Sequence, residues 1–318
     1  MGDRSGIEWT GATWTPLRAR HHETGRTGTI CIHVSGGCKH CWSEGMQAWR
    51  GAGAPFTPSG LKQVDLYLDE KMLAWPLHWK APRRIFVCSQ TDLFGEWWPD
   101  EWIDAVFGVM NAARHHTFQV LTKRPERMLA WFKRIDASPC AIPGMENECR
   151  VLTCFNAAEK HGAVDYSRWW GSTWSLPNVH LGVSVENQAT ADARIPLLLQ
   201  TPAAVRWVSY EPALGPVDFT RISTPTVAWV DATRCGLDWV IVGGESGPGA
   251  RPFDLAWARA TIAQCRAAGV PVFVKQLGRD PIEQTPDGVR GFAVMLHDKK
   301  GGDWTEWPED IRVREFPR

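Results

Sequence analysis

Short apolar runs rich in β-branched residues recur along the chain, separated by stretches with helical periodicity. Runs at 84–88 (RIFVC), 118–122 (FQVLT), 179–184 (VHLGVS), 205–209 (VRWVS), 239–243 (WVIVG) and 271–275 (PVFVK) predict strands. Most are nearly continuous in hydrophobicity, the pattern of parallel strands buried on both faces. Segments at about 99–113, 125–135, 188–200 and 253–268 predict helices, the last stopped by Gly269 just ahead of its strand. Repeated strand–helix units imply an α/β fold with a parallel sheet, open or closed.

Several regions break this pattern. Residues 15–30 (TPLRARHHETGRTGTI) read as a basic, Gly-containing loop, and 51–65 as a Gly/Pro-rich loop. Residues 136–177 read as an irregular insertion carrying Cys140, Cys149, Cys154, Tyr166, Trp169, Trp170 and Trp174. The tail from about 279 is polar and Gly-rich, with Trp304 and Trp307 expected to dock it.

Polar groups gather where the predicted strands end: Ser89, Gln90 and Asp92; Lys123 and Arg124; Glu186 and Asn187; Glu211; Gly244, Glu245 and Ser246; Gln276. In a barrel, active sites are built at that edge, because the loops there converge on one mouth. Any one of these residues is explained as well by an exposed loop, but six strand ends together favour a site.

Composition narrows the classes. Of 318 residues, 44% are hydrophobic and 22% charged, ordinary globular usage that excludes disorder, collagen and coiled coil as the main architecture. Lys plus Arg equals Asp plus Glu at 35 each, so a nucleic-acid contact would need a local patch. The N-terminal MGDRSGIEWTGATW lacks the apolar run of a signal peptide, and no stretch of roughly 18 apolar residues could span a bilayer. A cytoplasmic protein with no membrane partner is expected. The nine cysteines, odd in number and unevenly spread, suit a reducing compartment where thiols serve metals or chemistry. Nineteen tryptophans against three tyrosines could be core filler or stacking surface, and composition does not choose.

The segment ICIHVSGGCKHCWSE sets Cys31, Cys38 and Cys41 in a C-x6-C-x2-C array. Three thiolates in one loop could hold a [4Fe-4S] cluster and leave one iron open to another ligand. Gly36 and Gly37 would let the loop wrap it, at positive φ if needed. Structural zinc is the other reading, with Cys38 and Cys41 as a knuckle and Cys31 with His33 or His40 completing it. Simple thiols are the third. On spacing alone all three stand.

The chain resembles a phage and prophage family of unknown function that is grouped with radical S-adenosylmethionine (SAM) enzymes and is distantly similar to spore photoproduct lyase. The resemblance runs along nearly the whole chain, through IEWTGATWTP, CIHVSGGCKHCWSE, RRIFVCSQTDLFGEWWPDEWIDAVFGVM, HTFQVLTKRPERM, LPNVHLGVSVENQATADARIPLLLQTPAAVRWVSYEPALGPVD, DWVIVGGESGPGARPFDLAWAR and AGVPVFVKQLG. It implies a partial (β/α)6 barrel over 1–278, with the cluster loop at 31–41, the insertion at 136–177 and a C-terminal extension, 279–318, packed on it. It further implies that Cys31, Cys38 and Cys41 hold a [4Fe-4S] cluster whose fourth iron is chelated by SAM. The C-x6-C-x2-C spacing departs from the C-x3-C-x2-C of most radical SAM enzymes.

By the same resemblance, Ser89, Lys123 and Ser184 fall where SAM contacts are expected, with Asp92, Glu186 and Asn187 adding ribose or ammonium contacts. Lys123 beside a carboxylate would make a charge-assisted bond, though a solvated loop lysine reads the same. Glu186 and Asn187 read equally as a helix N-terminal cap. Cys88 precedes Ser89, as a hydrogen-donating cysteine precedes the strand-end serine of spore photoproduct lyase; a buried strand thiol is the plain alternative. Glu211 and Glu245 are candidate substrate acids or bases, or buried anchors. Cys140, Cys149 and Cys154 lack a tight pair, so a second metal site is not expected there.

For substrate, Arg18, Arg20, His21, His22 and Arg26, with Lys80, Arg83, Arg84, Lys123, Arg124 and Arg127, could form a phosphate-contacting rim, with Trp14, Trp42, Trp97 or Trp98 stacking on a base. Each could equally be surface decoration. A thymine-type base in phage DNA, rearranged, hypermodified or repaired after extrusion from the duplex, is the leading expectation. An electron donor of flavodoxin or ferredoxin type is implied. The alternatives are radical chemistry on a free small molecule and a non-catalytic, zinc-stabilised nucleic-acid-binding protein.

Overall fold

The computed structural model describes residues 5–140, 143–165, 167, 174–283 and 291–317. Tyr166, Trp169 and Trp170 of the expected insertion lie outside the described residues. The chain divides into two compact units: Met1–Val34, Ser43–Leu181 and Thr201–Ala204 form the first; Ser35–Trp42, Gly182–Gln200 and Val205–Arg318 the second.

All six expected strands are present. In chain order the strands are β1 (Ala12–Trp14), β2 (Leu17–His21), β3 (Thr27–Gly28), β4 (Val64–Leu68), β5 (Arg84–Val87), β6 (Thr117–Thr122), β7 (Val179–Val185), β8 (Val205–Tyr210), β9 (Trp239–Val242), β10 (Phe253–Asp254), β11 (Val272–Val274) and β12 (Pro281–Ile282). A seven-stranded sheet runs in the order β1-β5-β6-β7-β8-β9-β11. Pairing is parallel for β1–β5, β5–β6, β8–β9 and β9–β11. Every residue of β9 and β11 is buried, which is why their sequences lack alternation. The protein is therefore mixed α/β with a parallel sheet, as expected.

The helices longer than two turns are α1 (Asp100–Ala112), α2 (Pro125–Asp136), α3 (Glu146–Lys160), α4 (Gln188–Gln200) and α5 (Leu255–Ala268). The Asp254 side chain caps α5 by accepting from Ala256 N at 2.9 Å, and Gly269 ends it at φ 72°, the left-handed conformation a side chain disfavours.

Four expectations are corrected. Residues 15–30 are not simply a loop: β2 and β3 lie within them, and β2 pairs antiparallel with both β3 and β4. The 51–65 stretch contains a short helix, Pro58–Leu61, capped by Thr57, and the start of β4. The insertion is not irregular throughout, because α3 fills much of it and buries Val151, Cys154, Phe155, Ala157 and Ala158, a 3.6-residue stripe. Cys140 and Cys149 form a disulfide with Cα atoms 5.6 Å apart, so this pair is not the reduced thiols expected, while Cys154 is buried.

Several tryptophans serve as core. Trp14, Trp98, Trp131, Trp207, Trp239 and Trp307 are fully buried. Their indole N–H groups also tie down neighbouring segments: Trp14 donates to Met72 O at 2.7 Å, Trp98 to Asp92 O at 3.0 Å, Trp239 to Glu315 O at 2.9 Å and Trp307 to Gly301 O at 3.0 Å. A ring fills volume while its one donor fixes a loop. Trp14 and Trp98 are thereby removed as base-stacking surfaces. The tail docks through Trp307, whereas Trp304 is exposed under the Arg314 guanidinium. Among the described residues no helix is long and apolar enough to cross a membrane.

Candidate functional site

In the first unit the chain leaves β5 at Cys88, among the described residues the non-glycine one with positive φ, 55°. Its amide donates to Trp14 O at 2.7 Å and its carbonyl accepts from Thr91 N at 3.0 Å, closing a turn that carries Ser89 and Gln90, both half-buried. The Cys88 thiol is buried, and burial, helped by the negative charge of Asp92, pushes its pKa far above the ordinary thiol value. Cys88 is accordingly an S–H group and not a thiolate.

Asp92 sits inside a cage of donors. Its Oδ1 accepts from Phe94 N at 3.0 Å and Thr122 Oγ1 at 2.7 Å, and its Oδ2 from Lys123 N at 3.0 Å and Arg124 Nη1 at 3.2 Å. Its carboxylate is committed to joining the ends of β5 and β6. Lys123 is half-buried at the same edge.

Arg124, read from the sequence as a rim cation, is buried. Besides Asp92 it binds Glu96 Oε2 at 2.7 Å and Ile32 O at 2.9 Å, and stacks over the Trp97 ring at 4.7 Å. Burial disfavours its charge, but Asp92, Cys31 and Glu96 outweigh that and raise its pKa. Arg124 thus fixes the backbone beside Cys31 and offers Cys31 a positive charge. The sequence could not show this, because an arginine after a strand looks like any solvated one.

In the second unit, the Ser35–Trp42 loop packs against two strand-end glutamates. Glu186, after β7, is almost fully buried; it accepts from Ser35 Oγ at 2.8 Å and pairs with Arg194 of α4 at 3.2 Å. Arg194 in turn donates to Ser184 O at 2.6 Å. Glu245, after β9, accepts from the Arg251 amide at 3.0 Å and from the guanidinium at 2.6 and 3.0 Å. Burial works to raise the Glu245 pKa, but Arg251 and the nearby His40 hold it below the usual carboxylate value. Asn187 accepts from Thr190 N at 3.1 Å and so caps α4, the plainer of its two expected roles.

Glu211, after β8, differs. It is half-buried, pairs with Lys275 Nζ at 2.5 Å, and lies 3.5 Å from Gln276 Nε2. Gln276 donates to Gly244 O at 3.0 Å, while its buried Oε1 has no hydrogen-bond partner. Ser184 is buried and donates from Oγ to Glu211 O at 3.2 Å. Lys275 was not singled out from the sequence, and its place at the end of β11 was the only signal.

Cys31, Cys38 and Cys41 are each partly exposed. Cys41 N donates to Cys38 O at 3.2 Å, closing the C-x2-C segment as a turn, at the spacing that sets side chains on one side. Among the described residues no three His, Cys, Asp or Glu side chains converge as a ready metal cage. His33 Nε2 is engaged by Glu44 at 2.7 Å, leaving its Nδ1 uncommitted to that carboxylate, and His40 stands against Gly249 and Glu245, so the zinc reading keeps both histidines as candidates. The donor set itself, three soft thiols, suits iron–sulfur or zinc chemistry.

A protein-family profile described as a protein of unknown function, DUF5131, matches residues 4–304. The chain belongs to this family. No curated protein and no solved structure matches the chain. The DUF5131 description carries no activity.

The expected basic rim of this DUF5131 chain is partly spent internally. Arg20 lies over the Tyr67 ring at 5.4 Å, His22 meets Asp65 at 3.1 Å and Arg26 donates to Gln47 O at 3.2 Å. Of the tryptophans offered for stacking, Trp42, next to Cys41, is the most exposed at 52%; Trp97 is covered by Arg124.

Proposed function

We propose that the protein is a radical SAM enzyme built on a partial (β/α)6 barrel, with Cys31, Cys38 and Cys41 as the protein ligands of a [4Fe-4S] cluster. The observation that carries this reading is the array itself: three partly exposed thiols within eleven residues, one beside a buried arginine and two on a turn hydrogen-bonded through Ser35 to the strand-end Glu186. When bound, the cluster and SAM would supply a 5′-deoxyadenosyl radical able to take a hydrogen atom from the substrate. The protein's share is placement and exclusion.

Cys88 keeps its hydrogen at any working pH and is suited to return one to a substrate radical, not to bind metal. Ser89 and Lys123 are the SAM-facing candidates of the first unit. In the second, Glu211 with Lys275 is a substrate acid–base candidate, since Lys275 and Gln276 both meet the same carboxylate oxygen, Oε1. Asp92, Glu186, Asn187 and Glu245 hold loops and helix ends, whatever else they touch. A thymine-type base in phage DNA is the substrate class proposed, with Trp42 as a stacking surface and a flavodoxin- or ferredoxin-type donor supplying electrons.

Anaerobic purification tests the reading. Brown protein with about four iron and four sulfide per chain, bleached by the C31A/C38A/C41A variant and forming 5′-deoxyadenosine from SAM with a reductant, is the expected result. Stoichiometric zinc without SAM cleavage would replace it with the non-catalytic nucleic-acid-binding alternative. Cleavage indifferent to added DNA would move the substrate to a free small molecule.

A further inference from the structure

We propose that Glu186 is a positioning residue for the cysteine loop: a buried arginine locks it, and it sets where Cys38 and Cys41 stand. The inference rests on the reading of these cysteines as metal ligands and concerns only the second unit.

The contact with Glu186 leaves no slack. An ideal Cβ built on Gly37 would come within 2.4 Å of Glu186 Oε1 and 2.6 Å of its Cγ. A carboxylate at the end of a mobile side chain could step aside. This one cannot, because Arg194 grips both of its oxygens at 3.2 and 3.3 Å and is itself tied to the β7 backbone. Gly37 is therefore required by close approach; its φ is outside the left-handed region. Its neighbour Gly36 faces something looser: the nearest atom to its ideal Cβ is Arg251 Nη1, at 3.9 Å, an ordinary contact.

Ser35 adds a hydrogen bond to the same carboxylate at 2.8 Å, one residue before the glycine pair. From there the chain has few choices. Cys38 N bonds Ser35 O at 2.9 Å, Lys39 N bonds Gly36 O at 3.3 Å and Cys41 N bonds Cys38 O at 3.2 Å. Fixing Ser35 and Gly37 thus fixes the turn that presents both thiols. On its other side the loop meets the Glu245–Arg251 pair, and His40 lies against Gly249, 3.5 Å from that residue's ideal Cβ. Groups one layer behind metal ligands typically change metal affinity by about 10–100-fold when lost.

Adjacent glycines give the test. Chains are reconstituted anaerobically with ferrous iron and sulfide; iron per chain, the visible absorption band, the electron paramagnetic resonance signal of the reduced protein and the rate of iron loss to a chelator are then measured. Gly37→Ala is expected to lose iron about 10–100-fold faster than wild type and to broaden the resonance signal. Gly36→Ala should stay within about twofold, and Ser35→Ala should speed loss by about 2–10-fold, the worth of one hydrogen bond. Ser35→Ala keeps the question open to measurement if Gly37→Ala fails to fold. Wild-type chain that takes up no iron would overturn the cluster reading and this inference with it. Uptake by wild type with Gly37→Ala and Ser35→Ala both indistinguishable from Gly36→Ala would overturn the inference alone.

Discussion

Asp92 in the first unit and Glu211 in the second both follow a parallel strand, and from sequence they look alike. Their surroundings make them opposites. Asp92 is buried, takes two donors on each oxygen and holds Arg124, whose other bonds run to Glu96 and to the backbone at Ile32. Glu211 is half-buried and meets Lys275 and Gln276 through one oxygen, Oε1. A carboxylate with every lone pair filled is a strut; one held by a flexible ammonium can still trade protons or bind something. The number of donors, not the acidity of the residue type, separates structure from chemistry at this edge.

The comparison breaks most visibly at Arg124. Replacing it with Met strands Asp92 without its cation in a dry site, and a loss of about 3–5 kcal/mol is expected from urea unfolding. Next, Trp14→Phe keeps a ring in the core but leaves Met72 O without its donor, for about 1–3 kcal/mol by the same measurement. Glu211→Gln or Lys275→Met should cost about 1–3 kcal/mol, less than the buried Arg124 pair, while under the proposed function substrate turnover falls in either variant. Should Lys275→Met destabilise as much as Arg124→Met, Glu211 is a strut too and the distinction fails.

Acid sharpens it further. Burial lowers the His180 pKa to about 4 from 6.5, so the unfolded chain binds a proton there before the folded one does. That contribution is complete above about pH 6.5 and is lost as the pH falls toward 4. Glu245 is a depressed carboxylate: its contribution is present above its ordinary value near 4.5 and is lost only as the pH drops below that. Hydrogen exchange should therefore show residues around β7's start loosening at milder acidity than those around Glu245, and His180→Gln should flatten the milder limb.

Much of the sheet was legible because buried parallel strands must be apolar throughout: β7, β8, β9 and β11 announce themselves. β1 did not, since three residues (ATW) carry no period. β2 and β4 alternate arginine, histidine and aspartate with small or apolar residues, which on a half-exposed antiparallel sheet is correct and in one dimension reads as loop. α3 hid because Cys154, Ala157 and Ala158 form much of its buried stripe, and these are weak hydrophobic markers. At the candidate site, the cysteine array and the strand-end residues could be found by position. Their roles could not, because whether an oxygen is free depends on partners such as Arg194, which lies eight residues from Glu186 in the chain, and Arg124, which lies 32 from Asp92.

The Ser35–Glu186 contact joins residues 151 apart. A ribosome adding about 5–20 residues per second would need roughly 8–30 s after making the cysteine turn before its seat on β7 exists. For that interval the thiols hang on an unanchored segment, so any ion they are to keep is best delivered late, once the carboxylate that receives the loop has emerged.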